Sequence, residues 1–133
     1  MPEPIVNNLI EEAKRVSKNA YAKYSKFNVG CAFTNSNKQI FTGCNVENAS
    51  FGLTNCAERT AIFKSISEGN KSIDTVVIYT PTQTPTPPCG ACRQVIAEFN
   101  PNARIISVCD SEELIDTNLS QLLPFSNIPL NEV

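Results

Sequence analysis

The sequence predicts a three-layer α/β/α sandwich built on one mixed five-stranded sheet. Two observations carry that prediction. There are five short runs rich in β-branched and aromatic residues, and an amphipathic segment and a hairpin precede alternating helix and strand units. After Pro4, the residues Ile5, Val6, Leu9, Ile10, Ala13, Val16 and Ala20 recur at helical spacing. Glu11, Glu12, Lys14 and Lys18 fill the opposite face, which predicts a first helix. Runs at 29–34 and 39–43 flank the polar cluster Asn35-Ser36-Asn37-Lys38 and read as a hairpin. Residues 45–55 read as a polar loop. A second helix is expected over 56–68, ended by Gly69-Asn70, and a buried strand over 74–80. Pro81, Pro85, Pro87 and Pro88 then forbid regular structure and deliver the chain stiffly to Cys89. A helix over 89–99, strands over 103–109 and 113–117, and a short helix over 119–123 complete the order.

At 133 residues, the chain is expected to form one domain, 1–133, large enough for its own core. A formal net charge of -2 gives no electrostatic footprint for a polyanion, so a nucleic acid polymer is a poor partner and a small, nearly neutral substrate a better one. No apolar run approaches a membrane span. The start, Met1 to Lys14, has no apolar core of a signal peptide and already carries Glu11 and Glu12, which predicts a cytoplasmic protein. In that reducing setting the six cysteines read as thiols and metal ligands before disulfides.

Two segments carry chemistry: Cys56-Ala57-Glu58 and Pro88-Cys89-Gly90-Ala91-Cys92. Together they offer three soft thiolates for zinc and a carboxylate beside the metal. A purely structural zinc needs a fourth protein ligand, and the chain has no histidine. Cys31, Cys44 and Cys109 fall in strands or at strand ends, where cysteine is usually a small buried hydrophobe. Both ligand segments fall at predicted helix N-termini, whose partial positive charge favours thiolates. Three thiolates on a dication still leave one net negative charge, and Arg59 is the candidate to offset it. Taken singly, Glu58 would be a solvated glutamate stabilised by the helix dipole, Asn45 and Glu47 part of a polar turn, and Phe27 a core residue. Arg93 and Gln94 read as structural.

The stretch from Asn45 through Glu47 to Ser50, then Cys56-Ala57-Glu58-Arg59-Thr60-Ala61, then Pro88-Cys89-Gly90-Ala91-Cys92-Arg93-Gln94, resembles the small homotetrameric zinc-dependent cytidine deaminases of the cytidine/deoxycytidylate deaminase superfamily. The resemblance runs from about Tyr24 to Pro124. It implies one zinc ion per chain on Cys56, Cys89 and Cys92, with Glu58 as the catalytic proton carrier. It further implies that the Ala57 amide meets the base, Asn45 and Glu47 hold the ribose hydroxyls, and Phe27 packs against the substrate. Ala49, Phe51, Phe125 and Asn127 match positions of a cross-subunit pocket. This chain departs from the family pattern at Asn28, where a proline is common, at Phe51, where a tyrosine is common, and at Asn127, where an aromatic is usual.

The activity implied is hydrolysis of cytidine and 2'-deoxycytidine to uridine and 2'-deoxyuridine with release of ammonia, in pyrimidine salvage. Asn127 leaves open a modified cytosine nucleoside such as blasticidin S as substrate. A zinc-bound module without catalysis is the remaining alternative, and the intact Glu58 argues against it. Polynucleotide editing is disfavoured by the acidic balance and the lack of a basic arm.

Overall fold

Helix α1, Pro4–Ser17, opens on a proline whose fixed φ suits the first turn, and it buries Leu9, Ala13 and Val16. The structure is a computed structural model and describes residues 3–130. Ala20 lies beyond the helix although it continues the stripe, because the Lys18 and Asn19 amides close the last turn on the carbonyls of Arg15 and Val16. Strands β1 (Gly30–Thr34) and β2 (Ile40–Cys44) form the expected hairpin. Its turn is organised by the buried Asn35, whose Oδ1 accepts the amides of Asn37 and Gln39 at 3.0 and 2.9 Å. After a 3-10 turn at Phe51–Leu53 come α2 (Ala57–Ser67), β3 (Thr75–Tyr79), α3 (Gly90–Phe99), β4 (Arg104–Val108), β5 (Leu114–Asn118) and α4 (Leu119–Leu122).

The sheet order is β2-β1-β3-β4-β5, mixed, with β3 and β4 parallel and the other neighbours antiparallel. Register explains the layers. Ala32, Val77 and Ile106 lie side by side across the central strands and face α1, where they meet Leu9 and Ala13. The next row, Phe41, Phe33, Val76 and Ile105, points to the other face because strand side chains alternate. There it packs with Ile62 of α2, Ile96 of α3 and Leu119 of α4. One helix covers one face and three cover the other, which is the expected α/β/α sandwich.

Residues 45–55 are more ordered than a polar loop. The Val46 amide donates to the Asn55 carbonyl at 3.0 Å, and the Asn55 amide returns the bond at 2.9 Å. On the other side the Tyr21 amide reaches the Asn45 carbonyl at 3.0 Å, and the Glu47 amide reaches the Tyr21 carbonyl at 2.8 Å. Residues 45–47 are therefore a short rib bonded on both edges. The rib leads to Asn55, one residue before Cys56.

Candidate metal centre and substrate cleft

Cys56 and Cys89 are the N-cap residues of α2 and α3, and Cys92 sits in the first turn of α3. Neither cap makes a side-chain hydrogen bond to the helix, so both sulfurs remain available. The two helix starts meet because of specific contacts beneath them. At Gly43 of β2, any Cβ would collide with the Ala61 backbone and stand 2.7 Å from the Ala57 carbonyl oxygen. With Ala57 and Ala61 also small, the first turn of α2 rests directly on the strand. Arg93 anchors the other start: its Nε donates to the Pro88 carbonyl at 2.7 Å and its Nη1 to the Leu122 carbonyl at 3.0 Å. Arg93 is structural, as expected, and it ties the proline-rich loop to α4. Gln94 does likewise towards the C-terminal segment, donating to the Ser126 carbonyl at 3.3 Å.

The sulfurs of Cys56, Cys89 and Cys92 lie within 4.8 Å of one another, and they form the one such group of potential metal ligands among the described residues. Cys56 and Cys89 sulfurs are 3.8 Å apart. Cys31 is fully buried outside this group, and burial pushes its thiol well up, so it stays a neutral apolar side chain. Three thiolates with no fourth ligand grouped with them among the described residues suit zinc with one open position. The charge balance suits a cation as well. A hydrogen bond from Cys92 draws the Cys56 thiol down to about 5 against the effect of burial, and Arg59 adds to that pull. Cys92 is pushed far up by the same pairing and by burial. One thiolate thus forms readily while the next resists, which a dication would relieve. Arg59 Nη2 donates to the Cys56 sulfur at 3.3 Å, and its buried Nε has no partner among the described residues. Sequence reasoning placed Arg59 beside the thiolates, and the structure puts it there.

Glu58 is not the solvated glutamate that its position alone would give. It is 4% exposed, and burial raises its carboxyl to about 7, with the Cys56 charge adding to the rise. Its side chain lines a cleft of about 220 Å3 together with Cys56, Cys89, Ala57, Asn45 and Phe27. That volume lies below the ~300 Å3 at which small-molecule pockets usually begin. Thr54 joins it to a second, more open hollow of about 380 Å3, lined also by Tyr24, Ser25, Glu47 and Phe51. The cleft beside the sulfurs therefore opens onto a broader shelf.

Six of the expected site residues thus meet in the cleft, with Cys92 beneath and Glu47 on the shelf. The four cross-subunit positions behave differently. Phe51 is exposed and meets the Tyr24 ring edge-on at 6.3 Å, and Ala49 is exposed on the same loop. Phe125 is fully exposed, with φ 59, and Asn127 lines a groove between α3 and the C-terminal segment. Of these four, only Phe51 touches the cleft system of its own chain. Sequence reasoning missed Thr54 and Ser25, and also Thr86 and Pro87, which wall the cleft beside the sulfurs. Adjacency to Pro88-Cys89 could have flagged Thr86 and Pro87, whereas nothing in the spacing marks Thr54 or Ser25.

Comparison with known proteins agrees with this geometry. Residues 5–108 match the family model of the cytidine and deoxycytidylate deaminase zinc-binding region. A cytidine deaminase from Sporosarcina psychrophila is 42% identical over 120 residues, which cover 90% of this chain and 88% of that protein. The crystal structure of a cytidine deaminase from Burkholderia pseudomallei superposes with a TM-score of 0.86 at 41% identity, covering 90% of this chain and 96% of that one. A blasticidin-S deaminase from Bacillus cereus is 27% identical over 108 residues, which cover 75% of this chain and 76% of that protein.

Proposed function

The chain belongs to the cytidine and deoxycytidylate deaminase family, and from that premise we propose that it is a zinc hydrolase converting cytidine and 2'-deoxycytidine to uridine and 2'-deoxyuridine with release of ammonia. The observation that carries the reading is Glu58: a carboxyl buried to 4% exposure that lines the same cleft as the cysteine sulfurs and is raised by that burial above its ordinary value. A group poised near neutrality can both take and give a proton.

Cys56, Cys89 and Cys92 would hold one zinc ion, which when bound supplies a Lewis acid that makes an attacking water acidic near neutral pH. Glu58 takes one proton of that water and delivers it to N3 of cytosine as the oxygen bonds to C4; it then takes the second proton from that oxygen and passes it to the amino group, so that the C4–N bond breaks, ammonia leaves and the C4 carbonyl forms. The Ala57 amide, at the open start of α2, meets the base and Phe27 walls the ring, a reading supported by both residues lining the cleft. Asn45 and Glu47 take the ribose hydroxyls, which selects nucleosides over free bases. Arg59 offsets thiolate charge. The closer identity to cytidine deaminases than to the blasticidin-S deaminase favours unmodified nucleosides.

Each cleft is completed by neighbouring chains in a homotetramer, a reading supported by the exposed Phe51, Phe125, Ile128 and Leu130. Six free cysteines suit a reducing cytoplasm and a role in pyrimidine salvage. No helix among the described residues is long and apolar enough to cross a membrane. The test is an absorbance assay over cytosine and adenine nucleosides and blasticidin S, with zinc content and light scattering on the same preparation. Cytidine and deoxycytidine turnover, zinc near one per chain and a tetrameric mass are expected. Zinc without turnover of any cytosine nucleoside would overturn the reading.

A further inference from the structure

The backbone of Phe27 is held at both ends, and the residues that hold it are Asn45 and Glu47. Glu47 Oε1 accepts the amides of Tyr24 and Ser25 at 2.9 and 3.0 Å, and its Oε2 accepts the Ser25 hydroxyl in a short hydrogen bond. Ser25 Oγ in turn accepts the Phe27 amide at 3.0 Å. At the other end, Asn45 Nδ2 donates to the Phe27 carbonyl at 2.7 Å, and its Oδ1 accepts the Val29 amide at 2.9 Å. Between Ser25 and Phe27 the chain passes through Lys26 at φ 61, a left-handed conformation that non-glycine residues adopt only where their surroundings impose it. Asn45 and Glu47 themselves stand on the rib that both edges fix.

The acceptor and donor inventory shows that holding the loop and binding a sugar need not compete. A carboxylate offers roughly four acceptor sites and an amide nitrogen two donors. Tyr24, Ser25 and the Ser25 hydroxyl occupy three of the Glu47 sites, and the Phe27 carbonyl occupies one Asn45 donor. One acceptor site on Glu47, and one donor and one acceptor site on Asn45, remain for ribose hydroxyls.

We propose that Ser25 is a positioning residue: its hydroxyl relays Glu47 to the Phe27 amide, so that the groups meeting the ribose also set the ring that walls the base. The inference rests on the nucleoside reading above. Without the Ser25 hydroxyl, the Phe27 amide loses its acceptor and the left-handed turn at Lys26 loses a constraint. The ring then samples other positions, which weakens binding of the nucleoside while Glu58 and the sulfurs stay in place.

Two measurements on the zinc-loaded enzyme test this. Amide exchange at Phe27 should quicken in Ser25→Ala and stay near parental in Ser25→Thr, which keeps the hydroxyl. Cytidine KM should rise about tenfold in Ser25→Ala with kcat near parental, the loss of one hydrogen bond at a charged relay. That KM penalty should vanish in a Phe27→Ala background, since Ser25 acts through Phe27. Unchanged Phe27 exchange in Ser25→Ala, or an undiminished penalty in the double variant, would overturn the proposal. If the parent turned over no cytosine nucleoside, the functional reading would fall, and amide exchange alone would decide the role of Ser25.

Discussion

Helices α1 and α2 lie on opposite faces of the sheet, and each settles onto a glycine of the β1-β2 hairpin at its edge. Under α1, a Cβ on Gly30 would collide with the Ala13 carbonyl and crowd Ser17. Under α2, a Cβ on Gly43 would crowd Ala57 and Ala61. The packing device is the same, but it holds opposite ends. Gly30 fixes the C-terminal half of α1, whereas Gly43 fixes the first turn of α2, where unpaired amides and partial positive charge collect. Only the second contact places Cys56 and Glu58. A helix pressed onto a sheet becomes a site when its N-terminus is the end that is pinned.

The sharpest break in the comparison is a carboxylate on each helix. Glu58→Gln should keep its zinc and lose turnover by at least about 10²- to 10⁴-fold. Glu12→Gln on α1, which removes an exposed pair with Arg15, should leave turnover unchanged. Parental turnover in the Glu58 variant, measured with cytidine under saturating conditions, would move the proton carrier elsewhere.

Next in size is the cost of burying that carboxyl in metal-stripped protein. Its folded pKa of about 7 lies above its ordinary value of 4.5, so between these values the folded state binds more protons than the unfolded one. Stability contributed by Glu58 is thus present below about 4.5 and is lost as pH rises to about 7. Denaturant titrations of Glu58→Gln and its parent should diverge over that window in favour of the variant, by on the order of 3 kcal/mol. Parallel curves would mean that the buried glutamate is not neutral when folded.

The glycine pair sharpens the comparison directly. Gly30→Ala and Gly43→Ala should each cost about 1–3 kcal/mol in unfolding free energy through overpacking. Only Gly43→Ala should also reduce zinc content and turnover at a temperature where both variants stay folded. Equal losses of zinc in the two would show that the pinned end makes no difference.

The smallest effect belongs to the surface that holds the start of α1. Arg104 pairs with Glu3 at 2.8 Å and with Asp116 at 2.7 Å, all three partly exposed. Its hydrogen bond keeps the Asp116 carboxyl below the usual range, so this contribution is present above about 3.8 and fades as pH falls through the lower folded value. Arg104→Ala should cost less than ~1 kcal/mol near neutral pH and leave turnover unchanged.

The same contrast explains which parts were legible. The stripe Leu9, Ala13, Val16 identified α1 because its burial has one side and a clear period, and the run at 74–80 identified β3 because a central strand is apolar on both faces. The ligand cysteines were legible because zinc demands soft donors at fixed local spacing within Cys89-Gly90-Ala91-Cys92. Residues 45–55 read as a loop, but the bonds that brace residues 45–47 against Tyr21 and Asn55 were not legible, because no period relates those residues. Ser25 was passed over for the same reason, since its role depends on Glu47, distant in sequence.

By itself, then, the sequence determined the order of elements, the three-layer class, and the segments whose three cysteines and carboxylate come together. These follow from local periodicity and local donor chemistry, which are properties of neighbours along the chain. Only the tertiary structure decided that Glu58 is buried and raised towards neutrality, that Gly43 brings the start of α2 onto the sheet, and that Asn45 and Glu47 clasp the loop carrying Phe27. Burial, close backbone approach and a hydrogen bond across 22 residues of separation are set by what the fold brings together, and no local spacing records them.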